Sequence, residues 1–165
     1  MKTKHRQAAQ VKRRWQADPF AWQRALQMVK PPAVEEQIKV IQIFKPAYDR
    51  LCSGKGDAQD FNTINSAVQY AISGCAYLPT IEDAQANIRN LEPAVEAMRR
   101  MRQRHEDGKG LVFDGPGMRD VQGALDIHYD LLERLSKNHL LAAMQDAEKR
   151  IKGGRCKIAW QGKNL

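Results

Sequence analysis

The chain has 165 residues, with 27 Lys and Arg against 19 Asp and Glu and a formal net charge of +8. That length suits one domain, which would remove about 70% of its unfolded surface from water. At 42% hydrophobic and 28% charged it reads as a soluble globular protein, and no apolar run approaches the roughly 18 residues that suggest a membrane span.

Cys52, Cys75 and Cys156 form no CxxC pair, so a reducing, cytoplasmic setting is expected rather than a disulfide framework. The N-terminal stretch MKTKHRQAAQVKRRWQ is basic but has no apolar h-region, which argues against a secretory signal; a transit peptide would usually carry more Ser. The charge is unevenly divided. Residues 1–14 hold six bases and no acid, residues 149–165 hold six bases and no acid, and residues 15–148 carry 15 bases and 19 acids. The basic character thus belongs to the two ends.

Taken in chain order, residues 4–16 can form a short basic helix with Ala8, Val11 and Trp15 on one side. Pro19 restricts Asp18 to extended geometry, so Asp18 can cap a second helix through FAWQRALQMV. Lys30-Pro31-Pro32 is the next break. AVEEQIKVIQIF then keeps Val34, Ile38, Ile41 and Phe44 at helical spacing, with Glu35 and Glu36 near the positive helix start. Pro46 predicts a kink near Ile43–Lys45 or a two-helix break, and Gly54 with Gly56 ends the segment. Asp57 or Asp60 caps the next helix, whose buried stripe is Phe61, Ile64, Val68, Ala71, Ile72, Cys75 and Leu78. Thr80-Ile81-Glu82-Asp83 resembles a capping box and starts a helix towards Asp107, bent at Pro93, with Ile81, Ala84, Ile88, Leu91, Val95 and Met98 inward. GKGLVFDGPG, residues 108–117, reads as a loop. From Pro116 to Lys152 the apolar spacing predicts one helix of roughly 35 residues, or about 50 Å. Gly153-Gly154 stops it.

The expected fold is therefore all-α: a single-domain bundle of five or six helices over 18–152, with a basic arm at 1–17 and a basic tail at 153–165. Its two long helices, about 80–107 and 116–152, would form an antiparallel hairpin.

Motifs for chemistry are sparse. The glycine loop matches neither a P-loop nor a dinucleotide fingerprint and reads as a helix connection. His128 faces inward, lacks an HExxH or ExxH partner, and reads as a hydrogen-bonded core histidine; His139 is too far along the same predicted helix to share an ion with it. The pairs Asp126/Asp130 and Glu92/Glu96 read as solvated faces. No catalytic residue, metal ligand or cofactor is expected.

Basic clusters carry more weight. Arg99, Arg100, Arg102 and Arg104 repeat like charge at spacings that a helix does not favour for its own sake, with Glu96 to Arg100 as one compensating pair. Lys2, Lys4, Arg6, Lys12, Arg13 and Arg14 are interleaved with Trp15, which suits a groove-following arm or a stacking contact. Lys149, Arg150, Lys152, Arg155 and Lys157 form the second basic end. The expectation is a non-enzymatic accessory protein that binds nucleic acid, DNA or RNA, through phosphate contacts made by these three groups. The alternative is an adaptor or small regulator docking on an acidic protein.

Overall fold

The computed structural model describes residues 28–153, and five helices follow one another within them: α1 (Val34–Cys52), α2 (Ala58–Cys75), α3 (Ile81–Glu106), α4 (Gly115–Arg134) and α5 (Lys137–Lys152). No strand occurs among the described residues. The fold is the all-α bundle that the periodicity calls for. The predicted N-terminal helices at 4–16 and from Pro19 to residue 27, with the tail beyond Gly153, lie outside the described residues, as do Trp15, Trp22 and Trp160. The four tyrosines all lie inside them.

α2 is the middle of the bundle, and each of the other four helices packs on it. Its expected stripe is there in Ile64, Val68, Ala71 and Cys75, but Asn65, Gln69 and Ser73 are buried too. A helix apolar along one stripe alone could not sit there; the small residues Ala67, Ala71, Ser73 and Gly74 let neighbours approach from several sides. Asp57 is its cap. The Asp57 carboxylate accepts from the Asp60 N–H (2.9 Å), and the Asp60 carboxylate accepts from the Asp57 N–H (3.2 Å), a complete capping box. Arg50 at the end of α1 holds the same Asp60 in a two-pronged fork at 2.9 and 2.5 Å.

The most extensive helix pairing is the hairpin of α3 on α4. Asp114 caps α4 by accepting from the Gly117 N–H at 2.7 Å. Gly117 is required there, since a Cβ would lie 2.7 Å from that carboxylate oxygen and 3.2 Å from the Ala97 methyl. The turn uses left-handed backbone at Gly108 and Gly110, with φ of 76° and 78°.

Two expectations need correction, and one alternative is settled. The segment 116–152 is two helices, because Leu135 takes extended backbone and the Ser136 hydroxyl accepts from the His139 N–H, capping a new helix. The break turns α5 aside to lie on α2. Of the kink or break expected at Pro46, the break does not occur: α1 is continuous, and Pro46 and Gln42 are both exposed, so the carbonyl that loses its donor can meet water. Val34 (65% exposed), Ile38 (46%) and Ile81 (71%) do not face the core. They lie near the starts of α1 and α3, on faces that the other described helices leave exposed. Phe113 is buried, with its ring 6.1 Å from that of Tyr48.

Side-chain pairs tie the helix ends together. Lys137 meets Glu36 at 2.7 Å, the Lys137 N–H donates to the Lys30 carbonyl at 2.9 Å, Arg134 reaches Asp83 at 3.5 Å, and the Tyr48 hydroxyl donates to the Met118 carbonyl at 2.8 Å.

Candidate functional site

The arginine row lies on the last turns of α3, and the chain's own carboxylates occupy much of it. Arg99 grips Glu96 through two hydrogen bonds of 2.9 and 2.6 Å. Arg100 reaches Asp114 across the loop at 3.4 Å, and Arg102 pairs with Glu106 at 2.8 Å. The expected Glu96–Arg100 pair is thus replaced by Glu96–Arg99. These contacts hold Glu96, chiefly through Arg99, and Asp114, chiefly through the Gly117 N–H and then Arg100, below the usual carboxylate range. Arg104 adds a smaller positive field on Asp114.

The second basic group begins on the last turn of α5. Arg150 meets Asp146 at 3.3 Å and donates to the Ser73 hydroxyl, and Lys152 lies 3.7 Å from Glu148. Lys149 is exposed. Ser73 sits two residues before the end of α2, on the side of the bundle where α3 begins, whereas the arginine row sits where α3 ends. A 26-residue helix separates those ends, about 39 Å at 1.5 Å per residue. The described cations therefore do not gather in one place. Lys2, Lys4, Arg6, Lys12, Arg13, Arg14, Trp15, Arg155 and Lys157 lie outside the described residues.

The paired acids also find other uses. Asp130 binds Arg134 at 3.0 Å, and Asp126 accepts from the Gln122 amide at 2.8 Å. Among the described residues no three His, Cys, Asp or Glu side chains come close enough to hold a metal ion. Burial pushes the Cys75 thiol up to about 11 and raises Cys52 as well, so both are protonated thiols at neutral pH.

The feature that sequence reasoning missed is a cavity of about 360 Å³ between α1, α2, α4 and α5. From α1 it is walled by Val40, Ile43 and Phe44, and from α5 by Leu140, Ala143 and Met144. α4 supplies His128, Leu131 and Leu132. α2 supplies the polar wall: Gln59, Asn62, Thr63, Ser66 and Tyr70, which repeat at helical spacing along one face. The Thr63 and Ser66 hydroxyls each donate to the carbonyl four residues back. Among the described residues, no Lys, Arg, Asp, Glu or Cys lines the space.

His128 is 5% exposed, and its ring lies in an aromatic surround: Phe44 at 5.3 Å, Tyr129 at 6.0 Å and Tyr70 at 6.4 Å between centroids. Burial lowers its pKa to about 4, so it is a neutral imidazole at physiological pH. The expected core histidine is found, but its ring makes no hydrogen bond among the described residues. His139, on another helix, stacks on Tyr77 at 5.0 Å.

Compared with family models, curated proteins and solved structures, the chain matches none.

The polar stripe of α2 was the one visible signal of the cavity. A polar stripe ordinarily reads as a face turned to water, and here it also forms one wall of a half-open pocket bordered by three other helices, with Gln59 and Asn62 still exposed.

Proposed function

We infer that this protein is a non-enzymatic helical binding protein of the cytoplasm that grips a polyanion, nucleic acid in the first place, through basic segments flanking the bundle. One observation carries the reading. Residues 28–153 contain 17 basic and 18 acidic side chains, a net charge of −1, so the positive excess lies entirely in residues 1–27 and 154–165. Within the bundle many cations serve its own carboxylates, whereas the flanking segments hold 10 bases and one acid, Asp18. Such segments attract phosphate by releasing its condensed counterions. The arginine row becomes an accessory contact in this reading, since binding phosphate there competes with Glu96, Asp114 and Glu106.

The test is affinity for a random-sequence duplex and single strand as a function of salt. Affinity should fall steeply with salt, with a log–log slope of roughly −0.9 per duplex phosphate neutralised. Arg13→Glu with Arg14→Glu should weaken binding more than Arg99→Glu. Binding that is absent at micromolar protein, or flat with salt, overturns the reading.

A second reading has its own support. Val34, Ile38, Ile43, Leu141 and Met144 expose large apolar surface on α1 and α5, which suits a protein-docking face. In that case the chain is an adaptor for an acidic partner protein. Nuclease-insensitive co-purification with one defined protein, lost in Ile38→Glu, separates it from the first reading.

A further inference from the structure

The cavity at His128 lies apart from the basic segments and goes beyond the polyanion reading. The geometry points to a binding site for a neutral, hydroxylated aromatic molecule of about two rings, held between α1, α2, α4 and α5 with its hydroxyl group on the His128 imidazole. Size sets the first limit. The 360 Å³ volume lies at the lower end of the roughly 300–1,000 Å³ of small-molecule sites, and an apolar cavity of about 150 Å³ takes one benzene.

The lining sets the second limit. With no charged side chain among the described residues that line the space, an ionised guest would lose its water and gain no counter-charge from them. An apolar guest body instead meets Val40, Phe44, Leu131 and Leu132, and the rings of Phe44 and Tyr70 among the lining suit an aromatic partner.

The third limit is the unpaired imidazole. Buried polar groups almost always have hydrogen-bond partners, and one without a partner calls for an explanation. His128 borders the cavity and is 5% exposed, its ring takes no hydrogen bond among the described residues, and its nitrogens are not sealed off but keep access to open space. A neutral imidazole offers one N–H donor and one lone pair, so a single hydroxyl can pair with either nitrogen. The way in lies past Ile43 (60% exposed) and Met144 (40% exposed).

The probe is 2-naphthol, titrated into the full chain and followed by its fluorescence and by the His128 ring-proton resonances, with naphthalene as the partner lacking the hydroxyl. One-to-one saturable binding with a dissociation constant below about 1 mM is expected, together with a shift of the His128 signals. His128→Phe keeps a ring of similar size and should weaken 2-naphthol about five- to tenfold while leaving naphthalene unchanged. Met144→Trp, at a half-exposed position that spares the core, should block both probes with an unaltered helical spectrum. Absence of saturable binding overturns the proposal, and is also the outcome if another part of this chain or a second copy fills the space. Affinity unchanged in both variants places the probe elsewhere and overturns it equally.

Discussion

The edge of one ring meets the face of the other where Phe44 and His128 touch, with centroids 5.3 Å apart and planes at 89°. That contact joins α1 to α4 beneath the cavity and keeps the imidazole out of water. It also makes the histidine a source of pH-dependent stability.

With a folded pKa of about 4 and an unfolded value of about 6.5, only the unfolded chain takes up this proton as pH falls between the two. The stabilisation is complete above about pH 6.5 and is lost by up to about 1.4 kcal/mol per unit, about 3 kcal/mol in all, by pH 4. The groups around the ring are the phenols of Tyr70 and Tyr129, which stay neutral through this window because burial raises their pKa values. Asp60, Asp114, Glu36 and Glu96, whose pKa values are lowered, keep their contribution above the unfolded carboxylate values of about 4–4.5 and lose it as pH falls below them, so they affect only the acid end of this window. Urea midpoints at pH 7, 6, 5 and 4.5 should therefore fall for the natural chain and stay nearly level for His128→Phe. Parallel decline of both would remove His128 as the cause.

Asp60 and Asp49 offer a matched comparison. The Asp60 side chain is 6% exposed in its fork with Arg50, whereas Asp49 is 55% exposed in its pair with Lys45. Asp60→Ala removes charged hydrogen bonds and the capping-box return together, and should lower stability by roughly 1.5–3 kcal/mol. Asp49→Ala should stay within about 1 kcal/mol of the parent. Equal losses in chemical denaturation would show that burial of the fork contributes nothing.

Ser136→Ala removes the hydroxyl that accepts from the His139 N–H. A lost cap of this kind costs about 1 kcal/mol. Hydrogen exchange should quicken at the start of α5 and remain unchanged in the α3–α4 hairpin. Exchange that quickens uniformly would mean that the cap does not act locally.

Gln69 is 1% exposed, and its side-chain amide nitrogen has no hydrogen-bond partner. Replacing an unsatisfied buried donor by an apolar group of similar shape removes a desolvation cost. Gln69→Met should therefore raise the melting temperature, by an amount equivalent to about 1 kcal/mol. A lower melting temperature would show that the amide is satisfied in solution.

What could be read before the coordinates was chemistry between near neighbours. Asp57 and Thr80 act as helix caps, as their spacing to the third helical residue requires. The inward position of His128 followed from Leu125 and Leu132 on either side. The break at Ser136 gives no sign in the apolar spacing, which runs on through Leu135 and Leu140, because a stripe can persist across a break when both pieces pack on one core. Arg100 meets Asp114 over a separation of 14 residues, and no local rule anticipates a partner across a loop. Val34, Ile38 and Ile81 have the right spacing for burial but lie near helix starts, on faces that no other described helix covers. The cavity draws its walls from four helices, so no window of sequence contains it.

Because Trp15, Trp22 and Trp160 fall outside residues 28–153 while Tyr48, Tyr70, Tyr77 and Tyr129 fall within them, the molecule comes with two natural optical reporters. Indole emission watches the flanking segments and phenol absorbance watches the bundle. A polyanion arriving at the flanks should change the first signal and leave the second still, so one unlabelled sample can separate engagement from unfolding.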